Sequence, residues 1–325
     1  MSFRSPVSEI EFILAEVAGY KDVVMTARFA EAESATVTAV LGEAARVCDE
    51  VIAPLNRVSD LHPAQLENGV VRVTPGFDTA FAAISEGGWI GLAAAPQWGG
   101  MGLPETVQFA VNEMMSGACM SFQLLPLLSQ GQAEALDAHA SDEIKALYIP
   151  NLLSGAWSGT MNLTEPQAGS DVGGVRTKAV ANGDGSFAIT GQKIYISWGD
   201  HDLVDNICHL VLARLPDAPG GTKGISMFMV PKFLPDGDGA PGVANALRPV
   251  SLEHKLGIHG SPTAVMEYDG ATGWLVGPKN GGMAAMFTMM NAARLTVGFQ
   301  GVGVAEAAYQ KAAIFASERT QGKVG

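Results

Sequence analysis

The sequence predicts an α+β chain in three parts: an amino-terminal all-α domain, a middle antiparallel β-barrel domain and the start of a carboxy-terminal helical bundle. Three observations lead there. Apolar residues recur at three- and four-residue spacings up to about Leu153, short alternating runs split by turn residues follow, and helical spacing returns from Gly282. The expected boundaries are 1–155, 156–276 and 277–325.

In the first part, helices are expected near 9–18, 35–51, 78–86, 105–117, 124–139 and 143–153. Val107, Ala110, Val111, Met114 and Met115 mark one apolar face. Ser141-Asp-Glu-Ile reads as a helix start, with a side-chain oxygen for the exposed N–H groups and acids in the first turn. Gly99, Gly100 and Gly102 would each cost a helix about 1 kcal/mol, so the segment from Pro96 to Pro104 must be a loop.

In the middle part, strands are expected over 175–181, 186–190, 193–197, 209–215, 224–230 and 263–268. Asn182-Gly-Asp-Gly185 is a hairpin turn, because Asn and Gly accept positive φ. Without a helical crossover between strands, an antiparallel barrel or sandwich is favoured over a parallel sheet. The last helix carries Met283, Met286, Phe287, Met290, Val297, Val304, Ala308, Ala312 and Phe315 as an expected buried stripe, with Gly298, Gly301 and Gly303 allowing close approach. No closing element follows this helix, and the chain is expected to be an amino-terminal fragment.

The 325 residues are 47% hydrophobic and 16% charged, enough for two or three compact cores. A net charge of −13 repels phosphate backbones, and the densest basic window, 176–178, holds only two cations, so no nucleic-acid partner is expected. Cys48, Cys119 and Cys208 are odd in number and far apart, which fits buried thiols in a reducing compartment, without disulfides or zinc. No signal sequence and no run of eighteen apolar residues is visible; a cytoplasmic location without membrane insertion is expected. Gly237-Asp-Gly-Ala-Pro-Gly242 spells a dinucleotide fingerprint but reads as a loop, because of Pro241 and the absence of a following helix. His254 and His259 beside Glu253 read as turn polarity rather than a metal site, Asp200-His201-Asp202 as an exposed loop, and Glu105 and Glu113 as a solvated face.

Chemistry concentrates in two segments. In 161–171, Pro166 and Gly169 break the strand while Thr164, Ser170 and Asp171 surround a loop with free N–H groups. This is either a cradle for an anion or heterocycle, or a polar turn leaving the barrel. In Lys193-Ile-Tyr-Ile-Ser197, alternation puts Tyr195 and Ser197 on one face and Ile194 and Ile196 toward the core. An aromatic beside a hydroxyl suits a flat heterocycle such as isoalloxazine, although a tyrosine such as Tyr195, taken alone, is more often core packing.

Taken together these segments resemble the acyl-CoA dehydrogenase family. Met161 to Asp171 is similar to its signature of an apolar triplet, T-E-P and A-G-S-D, and Gly191 to Ser197 to its G-x-K-x-W-I-T element. Glu253-His-Lys-Leu-Gly-Ile-His-Gly-Ser-Pro-Thr263, Asn291-Ala-Ala-Arg294 and Glu318-Arg-Thr-Gln-Gly-Lys323 match further motifs in the same order. The resemblance spans residues 30–325, and the early Glu11 to Val17 segment is similar to an extended subgroup that includes methylthiopropionyl-CoA dehydrogenase-like enzymes.

The resemblance implies a truncated acyl-CoA dehydrogenase fold and FAD-dependent oxidation of an acyl-CoA to its trans-2-enoyl-CoA. Electrons would pass to an electron-transfer flavoprotein. Backbone groups of Met161, Asn162, Leu163 and Thr164, with the Thr164 hydroxyl, would hold the pyrimidine edge of FAD. Gly169 and Ser170 would line the cofactor loop, Ser170 between the FAD and CoA phosphates; Tyr195, Ile196 and Ser197 would form the ring's wall. Tyr195 replaces the family's tryptophan and Ser197 its threonine. Asn291 and Arg294, three apart on one helical face, would line the thioester site, with Asn291 standing where an acid is usual. Arg319 would contact the FAD pyrophosphate of a neighbouring subunit, implying a homodimer or homotetramer.

Proton abstraction requires a carboxylate. The family places it either before the arginine matching Arg294, here Ala293, or in a later helix; no catalytic base is therefore expected in this chain, but beyond Gly325. The chain alone is expected to bind FAD poorly and to lack turnover. An acyl-CoA oxidase, a flavin monooxygenase, a DNA-associated alkylation-response flavoprotein and a non-catalytic scaffold are the alternatives on the same fold.

Overall fold

The computed structural model describes residues 3–322. The amino-terminal part contains α1 (Val7–Phe12), α2 (Tyr20–Val24), α3 (Ser34–Val47), α4 (Leu55–Leu61), α5 (Phe77–Glu86), α6 (Glu105–His139) and α7 (Asp142–Ser154). Strands β1 (Gln65–Glu67) and β2 (Val70–Arg72) form a hairpin among them, turned by Asn68 and Gly69 at φ 50° and 80°. The short α2, α4 and this hairpin escape periodicity analysis, since none completes enough turns or alternations to show a pattern.

Helix α6 is the centre of this part, buried on several sides through Val107, Val111, Met114, Phe122, Leu125 and Leu136. It leaves helical geometry at Cys119 (φ −158°, ψ 94°), inside the gap that separates the two expected helices. Helix α7 begins as its sequence predicts, with the Ser141 hydroxyl accepting the Ile144 N–H.

The strands that follow are β3 (Trp157–Asn162), β4 (Lys178–Ala181), β5 (Phe187–Ser197), β6 (Asn206–Arg214), β7 (Ile225–Pro231), β8 (Phe233–Pro235), β9 (Pro241–Ala244), β10 (Leu247–Leu252) and β11 (Thr263–Val276). Pairing runs β11–β5–β4–β6–β7 and returns from β7 to β11, so five strands close a ring, with β10 added on β11 and β3 on β6. Asn182 to Gly185 turns β4 into β5, with Gly183 and Gly185 at positive φ. The expectation of a purely antiparallel barrel needs correction. β3 pairs with β6 in parallel, as does β4 through Lys178 and Arg214. The crossover that such pairing requires is supplied by the β4–β5 hairpin instead of a helix, which is why no helical signal announced it. Ile189, Ile196, Val211, Phe228, Met266 and Tyr268 fill the ring.

Helix α8 (Gly282–Glu318) packs along α6. Its buried face is Gly282, Ala285, Met286, Met289, Thr296, Gln300 and Gly303; Phe287, Val297, Val304 and Phe315 of the expected stripe are exposed. The face is set by specific contacts rather than by hydrophobicity. Gln300 donates to Gln123 Oε1 at 2.6 Å, and Gly303 lies so close to α6 that a Cβ there would sit 2.4 Å from the Glu113 carbonyl oxygen. Gly298 and Gly301 meet nothing within 4 Å, so of the three glycines only Gly303 serves close approach. All three cysteines are free and buried. Among the described residues, no helix is long and apolar enough to cross a membrane.

Candidate functional site

The chain leaves β3 through a tight turn in which Glu165 and Ala168 exchange backbone hydrogen bonds, 3.0 Å each, around Pro166 and Gln167. The Glu165 carboxylate then turns inward. Its Oε1 accepts from Thr177 N–H (3.0 Å), the Thr177 hydroxyl (2.5 Å) and Lys193 Nζ (2.9 Å), and its Oε2 from Arg176 N–H (2.7 Å) and Gln167 Nε2 (2.5 Å). Burial alone would raise this carboxyl; the Lys193 charge, the Thr177 hydroxyl and the Arg176 N–H outweigh burial and hold it at about 2. Lys193 is wholly buried and also donates to the Leu163 carbonyl at 2.9 Å. Burial draws its ammonium down to about 8 against the opposing pull of Glu165. The two motifs are thus one structural unit, joined through residues whose roles the sequence did not disclose.

A second tie joins the same strands: Ile194 N–H donates to the Thr164 carbonyl at 2.9 Å. Here β5 bulges against β11. Ile196 pairs with Ala264 and Lys193 with Met266, leaving Ile194 and Tyr195 opposite Val265. The bulge overturns simple alternation, because Lys193 and Ile196, three apart, both point inward while Ile194 is half-buried. Tyr195, 60% exposed as a residue, adopts φ 59°, a left-handed conformation that costs a non-glycine residue about 1–3 kcal/mol. Trp198, also left-handed at φ 53°, is buried; its backbone N–H donates to the Pro262 carbonyl at 2.7 Å and its ring stacks on Phe77 of α5. That contact couples the strand end after Ser197 to the helical part, and no spacing rule pointed to it.

What these ties present outward is a set of donors. Among the described residues, no group accepts a hydrogen bond from the N–H of Leu163, Thr164, Gly169 or Ser170, nor do the hydroxyls of Thr164, Ser170 and Ser197 have partners. Asn162 contributes only its backbone outward, since its side chain is fully buried. The loop beyond Ser170 is fixed by Asp171, which accepts Gly173 N–H at 2.9 Å, and by Arg214, which donates to the carbonyls of Gly173, Val175 and Gly221 at 2.6, 2.7 and 2.8 Å. Neutral donors on a rigid edge suit the carbonyls and nitrogens of a flavin ring, and the residues fit that group.

On α8, Arg294 Nη1 donates to Asn291 Oδ1 at 3.0 Å and its guanidinium lies over the Phe287 ring. The pair shares a helix face, as its spacing requires, and both residues are exposed. Arg319 bonds Gln321 and lies over Phe315, which places it with its own helix end rather than with the Thr164 loop; Lys323 of the same motif falls outside the described residues. A cavity of about 210 Å³ opens between α6, α7 and α8, lined in part by Gln108, Asn112, Gln130, Ala292 and Thr296. No sequence signal indicated it.

One minor expectation is overturned. Asp200 and His201 are buried, not exposed: Asp200 accepts from Val71 N–H and Lys232, joining the β1–β2 hairpin to the barrel. His259 bridges Asp60 and the Lys255 carbonyl, and no cluster able to hold a metal exists among the described residues.

Residues 34–156 match the model for the acyl-CoA dehydrogenase N-terminal domain and residues 160–271 that for the acyl-CoA dehydrogenase middle domain. The chain is 49% identical over 323 residues to 3-methylmercaptopropionyl-CoA dehydrogenase of Ruegeria pomeroyi, covering 99% of this chain and 55% of that protein. Its fold is similar to that of Caenorhabditis elegans ACDH-11 in complex with C11-CoA, with a TM-score of 0.80, 21% identity, and coverage of 98% and 54% of the two chains. It is also similar to an acyl-CoA dehydrogenase complexed with FAD from Bacillus anthracis, with a TM-score of 0.74, 22% identity, and coverage of 90% and 46%. The chain spans about half the length of the curated relatives it matches.

Proposed function

Since the chain belongs to the acyl-CoA dehydrogenase family, we propose that it forms the flavin-facing part of an enzyme that oxidises an acyl-CoA thioester to its trans-2-enoyl-CoA. The observation that carries this reading is the Thr164 loop, fastened to the β5 bulge by the Ile194 N–H and by Lys193, with its remaining donors free. FAD, the cofactor of this family, supplies the hydride acceptor when bound.

The chain's own residues divide the remaining work. Leu163 and Thr164 N–H groups, the Met161 and Asn162 peptides and the Thr164 hydroxyl hold the pyrimidine edge, where fixed donors favour the charge gathered on reduction. Tyr195 offers its exposed ring as a flat wall, with Ile196 behind it, and Ser197 donates its hydroxyl near the hydride-accepting nitrogen. Gly169 and Ser170 receive the phosphate-bearing stretch of FAD, Ser170 also meeting CoA. Asn291 and Arg294 orient the thioester, and Arg319 serves the pyrophosphate of a partner subunit in a homodimer or homotetramer. Electrons leave to an electron-transfer flavoprotein.

Neither carboxylate of the loop can take the α-proton. Glu165 is buried with five donors on it, and Asp171 caps Gly173. Ala293, immediately before Arg294, has no basic atom. None of these three positions offers a free carboxylate for that step.

The test, made with the enzyme completed to the length of its relatives, is FAD titration of the apoenzyme, followed by dye-coupled oxidation of 3-methylmercaptopropionyl-CoA, the substrate named by the 49% identical relative. Thr164→Val and Ser197→Ala should weaken FAD binding or slow oxidation at least about tenfold, a smaller effect than the roughly 100- to 1,000-fold lost with one oriented oxyanion donor. Unchanged binding and turnover in both variants would show that these hydroxyls do not face the flavin.

A further inference from the structure

Strand β3, whose end carries the Met161–Thr164 groups, has a fully polar inner face. Ser158, Thr160 and Asn162 are all completely buried and alternate along it, pointing the same way. Each is engaged. The Tyr268 hydroxyl of β11 donates to Asn162 Oδ1 at 2.9 Å, and Asn162 Nδ2 donates to Thr160 Oγ1 at 2.8 Å. Thr160 Oγ1 lies 2.7 Å from His209 Nδ1 on β6, its register partner. The Asn162 amide nitrogen, which can only donate, also lies 3.4 Å from His209 Nδ1, so Nδ1 is the acceptor for it and for the Thr160 hydroxyl, and the neutral ring carries its hydrogen on Nε2. One residue pair further back, His201 Nδ1 accepts Leu203 N–H, so its Nε2–H donates to Ser158 Oγ at 2.9 Å.

The opposite side of β3 is held as tightly. Gly159 N–H donates to Ser129 Oγ of α6 at 3.1 Å, and a Cβ at Gly159 would lie 1.9 Å from Gln132 Oε1. The strand thus can neither slide nor tilt without breaking a buried hydrogen bond on one side or a backbone contact on the other.

For stability alone this face is poorly composed. It leaves His209 Nε2 buried without a partner among the described residues, a cost that an apolar strand of the same shape would not carry. What a directional network provides and an apolar face does not is a single strand position.

We propose that the relay Tyr268–Asn162–Thr160–His209 positions the flavin-binding end of β3: these are positioning residues, which set where the Met161–Thr164 peptide groups stand without touching the cofactor. The proposal rests on the reading that this end holds FAD. Its consequence is specific, because deletion of one buried hydroxyl should loosen the Leu163 and Thr164 amides and alter flavin affinity and potential, even though each deleted atom belongs to the barrel interior.

Tyr268→Phe and Thr160→Val each remove one hydroxyl and keep the shape. Amide exchange at 161–164 is measured in the FAD-free protein, and the FAD dissociation constant and flavin midpoint potential in the holoenzyme. The expected result is faster exchange confined to this strand end, FAD bound about tenfold more weakly, in line with what outer hydrogen bonds contribute to a bound group, and a displaced midpoint potential. His209→Asn, which restores an acceptor at the Nδ1 position, should stay close to wild type while His209→Leu follows the other two. Wild-type exchange, affinity and potential in both Tyr268→Phe and Thr160→Val would overturn the proposal, including when their melting temperatures fall, since that is the signature of a role in folding alone. Failure of the underlying reading is distinguishable, because then the wild-type enzyme itself shows no change at 161–164 when FAD is added.

Discussion

Lys193 donates to Glu165 across 2.9 Å with both side chains withdrawn from solvent, at 0% and 3% exposure. This pair binds the turn after β3 to β5, and Lys193 reaches the Leu163 carbonyl from the same nitrogen. Breaking it from one side leaves a charge buried without its counterpart. Lys193→Met is therefore expected to lower unfolding free energy by about 3–5 kcal/mol, with Lys193→Met/Glu165→Gln recovering a substantial part. Urea denaturation measures both; a single variant within 1 kcal/mol of wild type, on the order of a surface pair, would contradict the assignment.

How much of this was legible in sequence depends on the kind of contact. The helix–barrel–helix order follows from periodicity, and the hairpin at Asn182 from two glycines whose φ values are indeed positive. The bulge was not readable: alternation assigns Ile194 to the core and Lys193 to solvent, and one inserted residue reverses Lys193. The buried face of α8 was misread for a related reason. Thr296, Gln300 and Gly303 carry little hydrophobic signal, yet a side-chain amide pair and a backbone crossing decide the face. In the candidate site, the loop residues announced themselves through turn chemistry, whereas Glu165, Lys193 and Arg214, which hold that loop, and Trp198, which ties the end of β5 to α5, act through long-range contacts no local pattern encodes.

The Gly303 crossing yields a paired prediction on one helix. Gly303→Ala meets the Glu113 backbone and should cost about 1–3 kcal/mol of stability. Gly301→Ala, with open space around it, should gain up to about 1 kcal/mol from helix propensity. Equal melting shifts in the two would show that α8 does not cross α6 here.

Tyr195 pays with backbone strain for its outward ring. Asparagine tolerates the left-handed region, so Tyr195→Asn should leave thermal stability equal or higher while weakening FAD binding several-fold through loss of the aromatic wall. Reduced stability with unchanged FAD affinity would assign Tyr195 to packing.

His201 and His209 are buried as neutral rings, burial foremost and the Lys232 charge second drawing both from 6.5 to about 3. Between these values the unfolded chain binds protons that the native state refuses. Stability is thus fully present above pH 6.5 and falls as pH drops toward 3. Glu165, depressed from 4.5 to about 2, adds a further loss only below pH 4.5. Urea midpoints should fall from pH 6.5 to 4.5, and less steeply in His209→Asn; identical slopes would contradict a neutral buried ring.

The central claim is that the strand end at Leu163 and Thr164 faces the flavin. Hydrogen–deuterium exchange of the enzyme with and without FAD addresses it most directly, residue by residue. Strong protection of the Leu163 and Thr164 amides on FAD addition, with accompanying protection around Tyr195 to Ser197, is the predicted result. FAD binding that leaves those amides exchanging at their apoprotein rates would place the cofactor elsewhere.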